Sequence, residues 1–230
     1  MDTHVIAGDP PVKVGLRRSA RARRLSLRIS RVDGRVTLTL PPRVPLAEAL
    51  AFADSRAGWV RSHLARIGTA EGPAFGADIP FQGRLLRLEP GTGRRVALEG
   101  DRLILPGDPE RLAARLGAFL KARARDALAA ASDRHAAALG RPYRSLTLRD
   151  VRSRWGSCSS RGDLMYSWRL VLAPPEVLDY VAAHEVAHLE RMDHSPAFWA
   201  VVDRLFPDHA RCRRWLRDHG ESLHRLRLGD

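Results

Sequence analysis

His184-Glu185-Val186-Ala187-His188, with His194 six residues further on, is the stretch on which the reading of this chain turns. On a helix, residues four apart share a face, so the two imidazoles of H-E-x-x-H can grip one ion. Zinc accepts neutral imidazole nitrogen, and a catalytic zinc keeps three protein ligands and one position for water. Glu185 follows the first ligand, where its carboxylate can reach that water as general base. With 9 His in 230 residues and a similar supply of Glu, a stray H-E-x-x-H is expected in about one chain in seventy.

The flanks tighten the case. Val177, Leu178, Val181, Val186 and Leu189 stand at spacings that suit a buried helix. Pro174-Pro175 is a start signal, with Glu176 in the first turn, and no Gly or Pro interrupts 176–192. The pattern therefore predicts one helix through that span. The rival reading is a core helix carrying two satisfied histidines. It is disfavoured, because two buried His and a Glu without a metal leave polar groups to be satisfied. The third ligand is open at this point. His194 precedes Ser195-Pro196, an N-cap followed by proline at the first helical position, and can fold back onto the ion. Asp203 or Glu221 is the alternative.

The length suits one large domain or two small ones, and 44% apolar with 28% charged residues reads as globular. No signal peptide is recognised near Met1 and no stretch approaches a membrane span, so a cytoplasmic protein is expected. Cys158 and Cys212 are too few for a disulfide framework and are expected to be free thiols. A ligand role for Cys158 is unnecessary beside three histidines. The net charge is +13, which favours polyanionic partners such as nucleic acid or nucleotides, or else a basic solvated surface. The basic residues are nearly all arginine, a bias that coding composition alone can produce.

Along the chain, residues 1–15 read as a loose lead-in. Arg17 to Arg31 is arginine-rich, with Leu25, Leu27 and Ile29 at period two. Asp33-Gly34 is a turn signal, and Val36, Leu38 and Leu40 alternate on the return strand. This predicts a two-stranded hairpin, its arginines contacting phosphates or solvent. A helix is expected over 45–67 and short strands over 85–88, 95–98 and 102–105. A long helix is expected over 110–139, closed by Gly140. No internal repeat is evident. Beyond Arg141, strands at 146–148 and 163–168 precede the metal helix, and helices at 196–205 and 208–219 follow it. The long helix is expected to pack beside the metal helix.

Several strings taken together resemble a known family: Arg154-Trp155-Gly156-Ser157-Cys158, Trp168-Arg169-Leu170, Asp179-Tyr180-Val181, the H-E-x-x-H, and His194-Ser195-Pro196-Ala197-Phe198-Trp199. They are similar to the YgjP-like metallopeptidases, relatives of the SprT and Spartan-type zinc proteases, most strongly over 141–219. Metzincins share the histidine spacing but carry Gly where this chain has Arg191. The resemblance implies an α+β, zincin-like metallopeptidase region over 109–230, preceded by a smaller hairpin, helix and strand region over 1–108. It implies His184, His188 and His194 as ligands of one zinc ion, and Glu185 as the catalytic carboxylate.

The expected activity is zinc-dependent peptide hydrolysis by a monomer. Arg154, Trp155 and Ser157 are candidates for substrate binding, because a strand edge there could pair with an extended peptide. The alternative for Trp155 is a core position. Arg154 and Tyr166 are the guesses for an oxyanion stabiliser. Rival functions are a metal-dependent nucleotide phosphohydrolase of the nucleoside triphosphate pyrophosphatase type, a protease associated with nucleic acid, and a nucleic-acid-binding protein with structural zinc. Against phosphate chemistry, there is no P-loop and no carboxylate cluster suited to magnesium.

Overall fold

The computed structural model describes residues 3–30, 34–67 and 72–228, and the chain divides into two units, Met1–Glu71 and Gly72–Asp230. In the first unit, β1 (Thr3–Ile6) pairs antiparallel with β2 (Val12–Arg18). β2 lies parallel to β4 (Val36–Leu40), which pairs antiparallel with β3 (Ser26–Ile29). The expected hairpin is thus the β3–β4 half of a four-stranded sheet. Arg17 and Arg18 stand on β2 instead, and the lead-in supplies β1 and most of β2. These two strands were illegible because their apolar residues, Ile6, Val12 and Val14, come in runs too short for periodicity to register. Of the expected Asp33-Gly34 turn, Asp33 lies outside the described residues.

The expected helix 45–67 is two helices, α1 (Leu46–Ser55) and α2 (Ala57–Ile67). Arg56, with φ −100° and ψ 9°, leaves helical geometry between them. The bend lets Ala49 and Ala53 of α1 and Val60 of α2 join one core with Val14, Val36, Leu38 and Leu40.

The second unit opens on β5 (Asp78–Phe81), β6 (Arg84–Gly91), β7 (Ala97–Glu99) and β8 (Arg102–Pro106). Their order, β5-β6-β8-β7, and their orientations repeat those of the first sheet, where the order is β1-β2-β4-β3. The repeat is one of topology without a matching sequence period. The unit boundary falls at Glu71 and Gly72, whereas a boundary at 108 and 109 was expected. The physical reason is the core: Ile79, Phe81, Leu86, Leu88, Leu103 and Leu105 pack in one cluster with the helices that follow. The tight β5–β6 turn, with Gln82 at φ 49° and Gly83 at φ 77°, docks where the next helices begin. The Gln82 N–H donates to the Val171 carbonyl at 2.8 Å.

A 3-10 turn (Pro109–Arg111) leads into α3 (Leu112–Leu139), stopped by left-handed Gly140. Then come β9 (Ser145–Arg149), β10 (Gly156–Cys158) and β11 (Asp163–Ser167), in the order β10-β11-β9 with β10 at an edge. α4 (Pro175–Ala187) carries the H-E-x-x-H up to its C-cap, His188, and is followed by α5 (Pro196–Leu205) and α6 (His209–His219). Among the described residues, no helix is long and apolar enough to cross a membrane.

Nine of the thirteen residues of α4 are buried, so its placement is set by packing on all sides. Two polar clamps hold its surroundings. Buried Arg169 donates to both carboxylate oxygens of Asp150, at 2.7 and 2.9 Å, and to the carbonyls of Leu223 and Leu226, at 3.1 and 2.8 Å. That ties the C-terminal segment to the strand layer.

On the other side, Asp179 of α4 accepts from His135 at 2.8 Å and from Arg134 at 2.9 Å, both on α3. These partners hold the Asp179 carboxyl below the usual carboxylate range, against the opposing effect of burial, which by itself would raise it. A depressed folded-state pKa contributes stability above the unfolded value, 3.8, and loses it as pH falls through the folded pKa. Asp179→Asn is therefore expected to lower stability by about 1–3 kcal/mol at neutral pH, with the gap closing at low pH. Denaturant titrations of both proteins at pH 7 and below pH 3 check this, and a gap independent of pH would remove the ionic role.

Candidate metal centre

α4 presents His184 and Glu185 from its last turn, and His188 stands at its C-cap. The helix thus ends several residues before the 192 expected. The last turn tightens, with Leu189 N–H donating to Val186 O at 2.9 Å and Glu190 N–H to Ala187 O at 3.0 Å. The turn is completed by His188, whose ring Nδ1 lies 2.9 Å from the Arg191 carbonyl. Donation from Nδ1–H fixes the tautomer and leaves Nε2 with a free lone pair. Among the described residues, Gln82 is the one non-glycine with positive φ, so the segment from 188 to 194 turns without the left-handed residue that a glycine would supply. Arg191 is compatible with that turn.

His194 arrives on the lead-in to α5. Ser195 caps this helix by accepting from Phe198 N–H at 3.4 Å, and its hydroxyl donates to Asp193 at 2.8 Å. The cap holds the corner that carries His194 back over α4. Ligand atoms of His184, His188 and His194 all lie within 4.8 Å of one another, and the Nε2 atoms of His184 and His194 are 3.2 Å apart. In a tetrahedral zinc site with Zn–N near 2.0–2.1 Å, ligand nitrogens stand about 3.3–3.4 Å apart. The donor set and its spacing fit that ion. Burial, reinforced by the neighbouring His188 and His194, pushes the His184 pKa down to about 3, and burial lowers that of His188. Both rings are thereby kept in the neutral form a metal needs.

Phe198 is the backstop for all three imidazoles. Its fully buried ring lies 5.0, 4.4 and 4.8 Å from those of His184, His188 and His194. Neither Asp203 nor Glu221, the alternative third ligands, belongs to the histidine cluster. Asp203 faces His209 instead, at 3.7 Å.

The histidines open onto a cleft of about 550 Å³ whose walls include Arg154, Trp155, Gly156, Ser157 and Cys158. The three candidate substrate-binding residues are thus all brought to it. Trp155 serves both readings offered for it: it walls the cleft and packs inward, stacked on His224 at 5.1 Å. Tyr166 does not reach the cleft. It is fully buried, with its hydroxyl 3.0 Å from Ser132 Oγ, and that removes it as an oxyanion stabiliser. Cys158 lines the cleft as a neutral thiol, its pKa pushed up to about 11 by burial and by the Glu185 charge. Both cysteines are free.

Glu185 is 6% exposed. Burial pushes its pKa up to about 8, and the Arg154 charge draws it back. Its carboxylate lies against Gly156 of the edge strand β10, where a Cβ would stand 2.6 Å from Glu185 Cγ and 2.7 Å from Oε1. Glycine is therefore required for strand and carboxylate to approach so closely. Gly156→Ala is expected to lower turnover by about 100-fold by displacing Glu185, while the metal content stays unchanged. Rates measured beside metal analysis test this; full activity would mean the carboxylate can shift without cost.

Sequence reasoning gave no role to Gly156, Tyr180, Phe198 or Arg213. The last lines the cleft from α6, and Tyr180 lines it from α4. Phe198 lies inside the quoted histidine string, so its neighbourhood was a usable signal. The approach of Gly156 and Arg213 is tertiary, and no local pattern marks it.

The sequence model of the YgjP-like metallopeptidase domain matches residues 23–219. No curated protein matches the chain. Among solved structures, the metallopeptidase zymogen abylysin of Pyrococcus abyssi is similar at 20% identity and a TM-score of 0.36, over 40% of this chain and 93% of that one.

Proposed function

The chain belongs to the YgjP-like metallopeptidase family, and we propose that it hydrolyses peptide bonds in the cleft at His184, His188 and His194, with zinc as its metal and Glu185 as general base. One observation carries this reading: three imidazoles converge within 4.8 Å of one another beside a buried carboxylate in one cleft. The histidines would hold the metal. A bound zinc supplies Lewis acidity, which polarises a carbonyl and makes water nucleophilic near neutral pH.

The protein's own groups do the rest. Glu185, with a pKa raised to about 8, is suited to accept a proton from water and return it to the leaving amine. β10, at the edge of its sheet and in the cleft wall, is suited to pair with an extended peptide, which would lay the chain across the cleft past Trp155 and Ser157. Arg154, exposed and close enough to influence Glu185, is positioned to act on charge that develops at the reacting carbonyl. The H-E-x-x-H helix beside a small sheet with an edge strand supports a zincin-like assignment for this region. Two free thiols suit a reducing compartment.

The experiment is metal analysis with hydrolysis assays on an unfolded protein and on nucleoside triphosphates, before and after chelation. Zinc near one per chain, with peptide cleavage lost on chelation and restored by zinc, is the expected result. Triphosphate hydrolysis in place of proteolysis would keep the centre and overturn the peptidase reading.

A further inference from the structure

Peptide hydrolysis needs the histidines, Glu185 and a strand edge, but it gives no reason for the arginines of α6. Arg213 and Arg217 stand one helical turn apart and both line the cleft. Together with Arg154 they make three cationic side chains in its wall, against one carboxylate, Glu185. An adjoining hollow continues the trend: it is lined by His209, Ala210, Arg213, Arg214 and Arg217, without a carboxylate.

Arg213 is held in place by packing rather than by an ion pair. Its guanidinium lies 4.8 Å over the Trp199 ring, and that ring lies 5.6 Å from His184. The charged fork is thereby fixed beside the histidine centre with its donors unspent. Arg217 contacts its chain neighbour Asp218 at 3.1 Å, with both side chains largely exposed, a pairing worth little. Other arginines of this unit pair with half-buried acids across the fold: Arg144 with Asp163 and Arg204 with Glu190. Among the described residues, no carboxylate lies within ion-pair distance of Arg213. Between the arginines the wall is apolar, with Tyr180, Val181 and Leu216.

We propose that Arg213 and Arg217 bind a carboxylate of the peptide substrate, so that the enzyme selects acidic peptides with an apolar residue near the scissile bond. Guanidinium forks pair bidentately with carboxylates, and an uncompensated basic cleft steers anionic chains toward it at low salt. The carboxylate comes from Asp or Glu side chains or from the peptide's own C-terminus. The inference rests on the peptidase reading, and the following test separates the two.

Three matched quenched fluorescent peptides share an apolar centre: one with flanking Glu and an amidated C-terminus, one with Gln in place of Glu and amidated, and one with Gln and a free C-terminus. For the wild-type protein at low salt, kcat/KM for a carboxylate-bearing peptide is expected to exceed that for the neutral one by about tenfold. Whichever of the two carboxylate peptides is preferred identifies the source. The ratio should fall toward one in 0.5 M salt, and also in Arg213→Gln and in Arg217→Gln. Arg217 is 72% exposed, so its replacement should leave the fold intact. Arg213→Lys, which keeps the charge but loses the fork, should retain part of the ratio. Equal cleavage of all three peptides by the wild-type protein would overturn this inference and leave the peptidase reading standing. Fluorescence anisotropy with Glu185→Gln reads binding without turnover. Tighter binding of a carboxylate peptide that depends on Arg213 and Arg217, with no cleavage by the wild type, would keep the site and remove the peptidase reading.

Discussion

Glu185→Gln is expected to reduce peptide hydrolysis by about 10²- to 10⁴-fold, the contribution a positioned general base makes, without loss of bound metal. The amide has nearly the shape of the carboxylate, so it fits the slot beneath Gly156. It cannot accept the proton of a reacting water. It should not unfold the protein either. Burial raises the Glu185 pKa from 4.5 to about 8, so the folded metal-free protein binds a proton that the unfolded chain has released. Between those two values the unfolded state holds fewer protons, and wild-type metal-free stability falls as pH rises through that window. Glutamine removes this slope. Metal-free Glu185→Gln is therefore expected to be at least as stable as wild type at pH 8, measured by denaturant titration. Full turnover in the zinc-loaded variant would remove Glu185 from the mechanism.

Much of this centre was legible because its chemistry is local. His184, Glu185 and His188 fall within one helical turn, and His194 follows at a capped corner that Ser195-Pro196 announces. The same holds for α3, with its long pattern and its stop at Gly140. Illegible features share a different origin. The break at Arg56 divides an unbroken apolar stripe, and Ala53 and Val60 on its two sides are buried in one core. β5 to β8 read as part of the N-terminal region, since their affiliation depends on which helices cover Leu88 and Leu105. Gly156 looked like any strand glycine until Glu185 was placed against it. Tyr166 read as a cleft residue on its chemistry alone, and the alternation of β11 turned it inward toward Ser132.

His194→Ala tests the remaining ligand, and its expected effect is a loss of zinc affinity of at least about 100-fold, more than the loss of a supporting residue brings. The fold offers a clean background for this change. His194 is exposed, and the corner that carries it is held by the Ser195 and Asp193 contacts, which the substitution leaves in place. Removing His188 would be less informative, since its ring also completes the turn through the Arg191 carbonyl. Metal-free His194→Ala should stay within about 0.5–1 kcal/mol of metal-free wild type. A metal that binds only the folded state stabilises it with the logarithm of its concentration over Kd, so added zinc should raise the wild-type Tm and leave the variant nearly unmoved. Hydrolysis should fail in parallel. With two imidazoles the ion should be held too weakly to survive dialysis, and Glu185 is then left with no activated water to serve. Zinc retained near one per chain by dialysed His194→Ala would move the third ligand to another side chain and undo the geometry on which the peptidase reading stands.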